Sequence, residues 1–224
     1  GGEVLLSGST TFSGSAPQLE DGKYTVSEMI TPLSEGVGQE DERPVVRTSS
    51  RGTIEGHLTA GGFLLRGEFV SVLDGLPVKD QFAGTIRAEN GLLHLAAKNK
   101  KGEIEIRGNV PLIGESSAHL EAEIENYDLS SLLPENICAS FSASGFYDFS
   151  TAAPTQGSGK IFPTQLNAGC GQGALQLVQS EELLFNSGRL DFSRIRLASQ
   201  GKQLEASGSY SIGGEAQIKL YGDF

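Results

Sequence analysis

The chain contains no tryptophan, one methionine and two cysteines among its 224 residues. Without tryptophan, a sugar-binding platform would lack its most favoured stacking residue. The two cysteines, Cys138 and Cys170, match no zinc-ligand spacing. They are compatible with one disulfide in an oxidising compartment or with two buried thiols acting as small hydrophobes. Cations are scarce. Lys and Arg number 17 against 28 Asp and Glu, a net charge of −11, with an isoelectric point near 4.7. That balance argues against a nucleic-acid partner and against docking on anionic lipid headgroups. It leaves contact with lipid tails open, because that depends on apolar surface. No apolar run is long enough for a transmembrane helix. No basic segment followed by an apolar core opens the chain, so no signal peptide is expected within it. The opening "GGEV" reads as a cut end. We expect a fragment of a longer protein, with any membrane anchor or export signal outside it.

What the chain has is alternation. In "LEASGSYSI", Leu204, Ala206, Gly208, Tyr210 and Ile212 alternate with Glu205, Ser207, Ser209 and Ser211. A period of two gives a strand with one dry and one wet face. "AHLEAEIEN" repeats the pattern with Ala118, Leu120, Ala122 and Ile124. "GEIEIRGNV" sets Ile104, Ile106, Gly108 and Val110 against Glu103, Glu105, Arg107 and Asn109. "QFAGTIRAE", "SFSASGFYDFS" and "AQIKLYGDF" add Phe82, Gly84, Ile86, Phe141, Gly145, Phe149, Ile218 and Leu220 to the dry rows. Glycine recurs in these rows, at Gly56, Gly67, Gly84, Gly108, Gly145 and Gly208, although it weakens a strand interior. Either it relieves crowding on the inner face of a strongly curled sheet, or it marks bulges and corners of an ordinary sandwich.

Turn signals separate the strands: "ENG" at 89–91, "NKKG" at 99–102, "SQGK" at 199–202 and "GG" at 213–214. These suit hairpins, so the expected fold is all-β, an elongated antiparallel meander. Helical spacing is confined to one short turn in "NYDLSSLLPENI", ended by Pro134. Residues 33–44 read as an exposed acidic loop. Residues 151–160, "TAAPTQGSGK", read as a linker or long loop. One elongated unit over 1–224 is expected, with 1–150 and 159–224 as sub-blocks.

Catalytic and metal-binding patterns are weak. His57, His94 and His119 are isolated, and His94 and His119 fall in wet rows. "GCGQG" at 169–173 lacks the following helix of a phosphate loop, because "ALQLVQ" alternates as a strand. Nor does it fit a nucleophile elbow; it reads as a turn. Glu125 and Asp128 would be half of a glycosidase-like carboxylate arrangement without its aromatic platform. Glu181 and Glu182 read as the solvated start of a strand. No enzyme, cofactor or metal site is expected.

The stretch "NYDLSSLLPENICASFSASGFYDFS" (126–150) resembles the repeats of the TamB and AsmA family. "NSGRLDFSRIRLASQGKQLEASGSYSIGGEAQIKLYGDF" (186–224) is similar to that family's closing pattern. The likeness covers 118–224, with 1–117 matching in style. It implies a periplasmic protein held in the inner membrane by an N-terminal helix that this chain lacks. It also implies a long β-sheet rolled into an open apolar groove, a taco-like form, with no catalytic residues. The implied roles are phospholipid transport between membranes and outer-membrane biogenesis. A TamA-like outer-membrane barrel is the implied partner of the TamB branch.

The residue reading agrees on one physical point: an acyl chain needs a continuous dry lining. Burying a methylene is worth roughly 0.8 kcal/mol, so a full acyl tail would gain on the order of 10 kcal/mol before entropy costs. The expected lipid-facing residues are Phe82, Ile86, Ile104, Ile106, Leu120, Ile124, Phe141, Phe149, Leu204, Ile218 and Leu220. The cargo would be phospholipid tails or the strands of outer-membrane proteins. Two rival readings remain open. One is a structural or adhesive cell-envelope sandwich or solenoid whose dry faces close on each other. The other is a β-helical polysaccharide enzyme, which would need carboxylates clustered on one wet face. Open edge strands would also let the fragment pair with itself edge to edge.

Overall fold

A computed structural model describes residues 3–13, 16–32, 45–59, 62–75, 78–112, 116–130, 138–169, 173–211 and 216–222. Those residues form a single antiparallel sheet of 15 strands. The strands are β1 (Glu3–Ser13), β2 (Ala16–Pro32), β3 (Val45–Thr59), β4 (Gly62–Gly75) and β5 (Val78–Glu89). They continue as β6 (Leu92–Asn99), β7 (Ile104–Pro111), β8 (Ser117–Asp128), β9 (Ala139–Ser150) and β10 (Ala153–Ala168). The last are β11 (Leu175–Ser180), β12 (Leu183–Asn186), β13 (Arg189–Ser199), β14 (Lys202–Ser211) and β15 (Ala216–Gly222). From β1 to β11 and from β12 to β15 each strand pairs with its sequence neighbours, β11 and β12 both lie between β10 and β13, and β1 and β15 form the outer edges. Extensive contacts between strands are confined to such hydrogen-bonded neighbours. The all-β meander expected from the alternation is the fold, and it forms an open, groove-like sheet.

The hairpins follow from turn chemistry. Asn90 and Gly91 (φ 53° and 78°) join β5 to β6, and Gln200 and Gly201 (49° and 82°) join β13 to β14. Ser187 and Gly188 (48° and 80°) join β12 to β13. Two successive positive φ values define the type I′ turn, whose twist matches that of the flanking strands.

Two sequence expectations need correction. Residues 151–160 are not a linker: only Thr151 and Ala152 turn, and β10 pairs with β9 from Ser158 onward. The sheet is therefore continuous across the expected sub-block boundary. The small residues that suggested a loop suit a crowded strand, where Gly157 lies against the Tyr147 ring. Glu181 and Glu182 do not start a strand; they are exposed residues between β11 and β12. Of the expected helical turn, residues 126–128 belong to β8. Asp128 Oδ1 accepts the Ser130 backbone N–H at 2.9 Å, a local turn. Leu132, Leu133 and Pro134 lie outside the described residues, as do the acidic loop at 33–44 and the "GG" at 213–214.

The sheet contains one internal break. β10 pairs with β12 over Ser158–Ile161 and with β11 only at Asn167 and Ala168. Between these ladders, no pairing joins 162–166 to 177–182 among the described residues. Pro163 lies in this stretch and has no N–H to offer. β11 and β12 both pair with β13, which carries the sheet past the gap.

Candidate functional site: the apolar face

Register, more than any single strand, builds this face. One cross-strand row runs Gly52, Phe69, Gly84, Ala97, Ile106, Ala122, Gly145, Ile161, Leu183, Phe192, Gly208, Ile218. A second runs Gly22, Ile54, Gly67, Ile86, Leu95, Gly108, Leu120, Tyr147, Gly159, Phe185, Leu190, Tyr210, Ala216. Neither row contains a charged residue. With strands about 4.8 Å apart, the rows extend roughly 53 and 58 Å across the sheet.

The glycines have a packing role in these rows. Glycine alternates with bulky neighbours, which lean across it. A Cβ on Gly84 would lie 2.8 Å from Phe69 Cζ. A Cβ on Gly108 would collide with Leu120 Cδ2 and lie 2.7 Å from the His119 carbonyl oxygen. Large side chains covering cross-strand glycines stabilise curved sheets and shield the bare backbone. At Gly145, Gly159 and Gly208 the nearest atoms are instead the backbone of the adjacent strand, so close backbone approach favours glycine there as side-chain crowding does at Gly84 and Gly108.

Every residue expected to line the face falls on this one side of the sheet. Phe82 and Ile104 are buried, and with Ala97 they form a cluster against which Phe69, Ile106, Ile124 and Tyr127 pack. Burial raises the Tyr127 phenol above its usual range. Ile86, Ile106, Leu120, Ile124, Phe141, Phe149 and Leu204 are half-buried. Ile218 and Leu220, on the edge strand β15, are 55% and 61% exposed. The sequence reading did not single out Phe69, Leu95, Ile161, Leu183, Phe185 or Phe192, which complete the rows. Their alternation was readable, but their alignment depends on register.

Between β7 and β12 the face dips into a hollow of about 350 Å³, lined chiefly by Ile106, Leu120, Ile124, Phe141, Tyr147 and Phe185. Its aromatic wall is ordered: Tyr147 stacks with Phe149 at 5.5 Å and meets Phe185 edge-on at 5.7 Å. Tyr147 Oη accepts the Gly157 N–H at 2.9 Å, which anchors the ring. One margin of the face is polar. There the buried Asn99 donates from Nδ2 to Asp80 Oδ2 at 2.8 Å and accepts the Ile104 N–H at 2.9 Å.

The face is open. The molecule exposes 14305 Å². A compact monomer of 23.6 kDa would expose about 9,800 Å². Among the described residues no large side chain is fully buried. Two sheets packed face to face would produce the opposite on both counts.

The opposite face is polar and laced with ion pairs. Glu105 lies 2.7 Å from Lys98 and 2.5 Å from Arg107, and these hydrogen bonds hold its carboxyl below the usual range. The Arg196 hydrogen bond, 2.8 Å long, does the same for Glu205. His94 contacts Asn109 at 2.6 Å, and His119 contacts Asp148 at 2.6 Å, so both histidines lie in wet rows as expected. Glu125 and Asp128 are exposed on β8. No cluster of three metal-ligating side chains occurs among the described residues.

Cys138 is disulfide-bonded. The chain's one other cysteine is Cys170, which lies outside the described residues. Cys138 immediately precedes β9, at the open end of the β9–β10 hairpin, its carbonyl accepting the Gly169 N–H at 2.7 Å.

No family model, no curated protein and no solved structure matches this chain.

Proposed function

We propose that the chain is a non-enzymatic segment of a TamB/AsmA-like periplasmic protein, whose apolar face shields phospholipid tails, or the strands of outer-membrane proteins, on their way between membranes. The observation that carries this reading is the pair of uncharged rows crossing an open, single-layered sheet. A globular core needs apolar faces that meet each other. Here the bulky residues meet chiefly their cross-strand neighbours, and the hollow over Ile106 and Leu120 is left for something else. Its volume lies within the range of ligand sites. A lining dominated by Ile106, Leu120, Ile124, Phe141, Tyr147 and Phe185 suits a hydrocarbon better than a polar metabolite. The large exposed area weighs against the rival module with a closed core. The disulfide at Cys138 supports an oxidising compartment such as the periplasm. Anchoring by an inner-membrane helix and a TamA-like partner follow from the family resemblance alone.

The test is native mass spectrometry with lipid extraction on protein expressed in bacteria. Wild-type protein should carry phospholipid, and the double variant Ile106→Asp, Leu120→Asp should lose it while keeping its β circular dichroism. Lipid-free wild-type protein, or a folded double variant that still carries lipid, overturns the proposal.

A further inference from the structure

Two aromatic rings interrupt the polar face, and they are adjacent. Phe146 of β9 and Phe162 of β10 lie 6.5 Å apart between centroids. Their cross-strand partners are Glu121 and Lys160 for Phe146, and Ser144 for Phe162, so strand alternation assigns both rings to the wet side. His119 stacks on Phe146 at 5.8 Å. Phe162 is 39% exposed, and Leu184, beside Lys160 in the same region, is 44% exposed. Hydrophobic side chains grouped on a charged surface mark a contact site more often than chance placement.

The rings border a hollow of about 300 Å³, whose other walls include Glu105, Glu121, Glu123 and Arg107. The charges there are unequally matched. Glu105 is satisfied by Lys98 and Arg107. Glu121 has only a 3.4 Å contact to His119. Glu123 has no ion pair among the described residues. The hollow thus offers an aromatic face beside carboxylates with spare capacity. A planar cation fits both. Guanidinium stacks on aromatic rings and pairs with carboxylates through a rigid fork, whereas ammonium is compact and strongly hydrated.

We propose that this polar-face hollow is a docking site for an arginine side chain on an extended segment of a partner protein, with the guanidinium stacked on Phe162 and paired to Glu123. The site lies on the opposite face from the apolar rows, so it does not depend on what those rows carry. A molecule of net charge −11 favours a basic partner in general; the rings are what select arginine.

The test is titration of the chain with a short neutral-capped peptide carrying one arginine among glycines and serines, followed by backbone amide shifts. Saturable shifts should centre on Ser144 and Glu123. The same peptide with lysine should bind several-fold more weakly. Phe162→Ser should weaken the arginine peptide about threefold, the loss expected for a cation–π contact at an exposed ring. Glu123→Gln, a conservative change at an exposed position, should also weaken it. Glu68→Gln, distant on the same face, should leave it unchanged. Equal affinity for both peptides, equal losses at Glu68 and Glu123, or shifts elsewhere would overturn the proposal. If Phe162→Ser fails to fold, the Glu123 and Glu68 pair decides it.

Discussion

At the scale of single residues, the most telling position is Gly108. It sits in a row of bulky apolar residues, and its missing side chain is the space that Leu120 fills. Gly108→Val should destabilise the protein by about 2 kcal/mol or more, an overpacking cost, read as a lower urea midpoint. Gly102→Ala is a different case. Nothing lies near its Cβ position, but its φ of 77° is left-handed, so the cost should be about 1 kcal/mol of backbone strain. His119 gives a pH-dependent counterpart. Its hydrogen bond to Asp148 raises its pKa above the ordinary value near 6.5. A raised folded pKa means the contribution is fully present below the unfolded pKa and is lost as pH rises through the folded one. The side chain is 40% exposed, so the effect should be only a few tenths of a kcal/mol after solvent screening. Urea midpoints at pH 5.5 and 8.5 should drop more for wild type than for His119→Gln, and an identical drop would refute the link.

At the scale of elements, the β9–β10 hairpin carries a covalent restraint as well as its ladder. Its open end is fastened by the disulfide at Cys138. Replacing Cys138 with Ser should cost about 2–4 kcal/mol, the usual value for a bond closing a loop of tens of residues. The measurable result is a lower melting temperature that reducing agent lowers no further. This hairpin also shows what the sequence conveyed and what it did not. Phe141, Gly145 and Phe149 were legible as one face because period two is a property of one strand. "TAAPTQGSGK" was illegible as a strand because its glycines and small polar residues are turn-formers in isolation. Only the neighbouring Tyr147 ring makes Gly157 a good strand residue. Phe146 and Phe162 were missed for a related reason. Alternation assigns them a wet face and says nothing about two such exceptions being adjacent. The alignment of glycine with bulk across strands is likewise a matter of pairing, which no single strand encodes.

At the scale of the whole molecule, β1 and β15 are each paired on one side only among the described residues. β15 exposes Ile218, Leu220 and Tyr221 along a strand paired on one side only. Such an edge is a template for another strand. Light scattering with size exclusion should show self-association that grows with protein concentration, and Leu220→Lys with Tyr221→Lys should reduce it. A monomer at every concentration would mean that the edge is masked in solution.

The confinement of extensive contacts to neighbouring strands has a consequence for how such a molecule unfolds and how it can change in length. Its energetics are those of a linear chain of coupled units, each hairpin stabilised by the ones beside it. Melting should begin at the ends and at the β10–β11 break, and it should spread like a zipper rather than as a single collapse. Contacts between near neighbours in sequence also make folding fast for an all-β protein. A hairpin inserted between two others would disturb only its immediate flanks. In a molecule built this way, length is an adjustable dimension, set by how many hairpins are strung together.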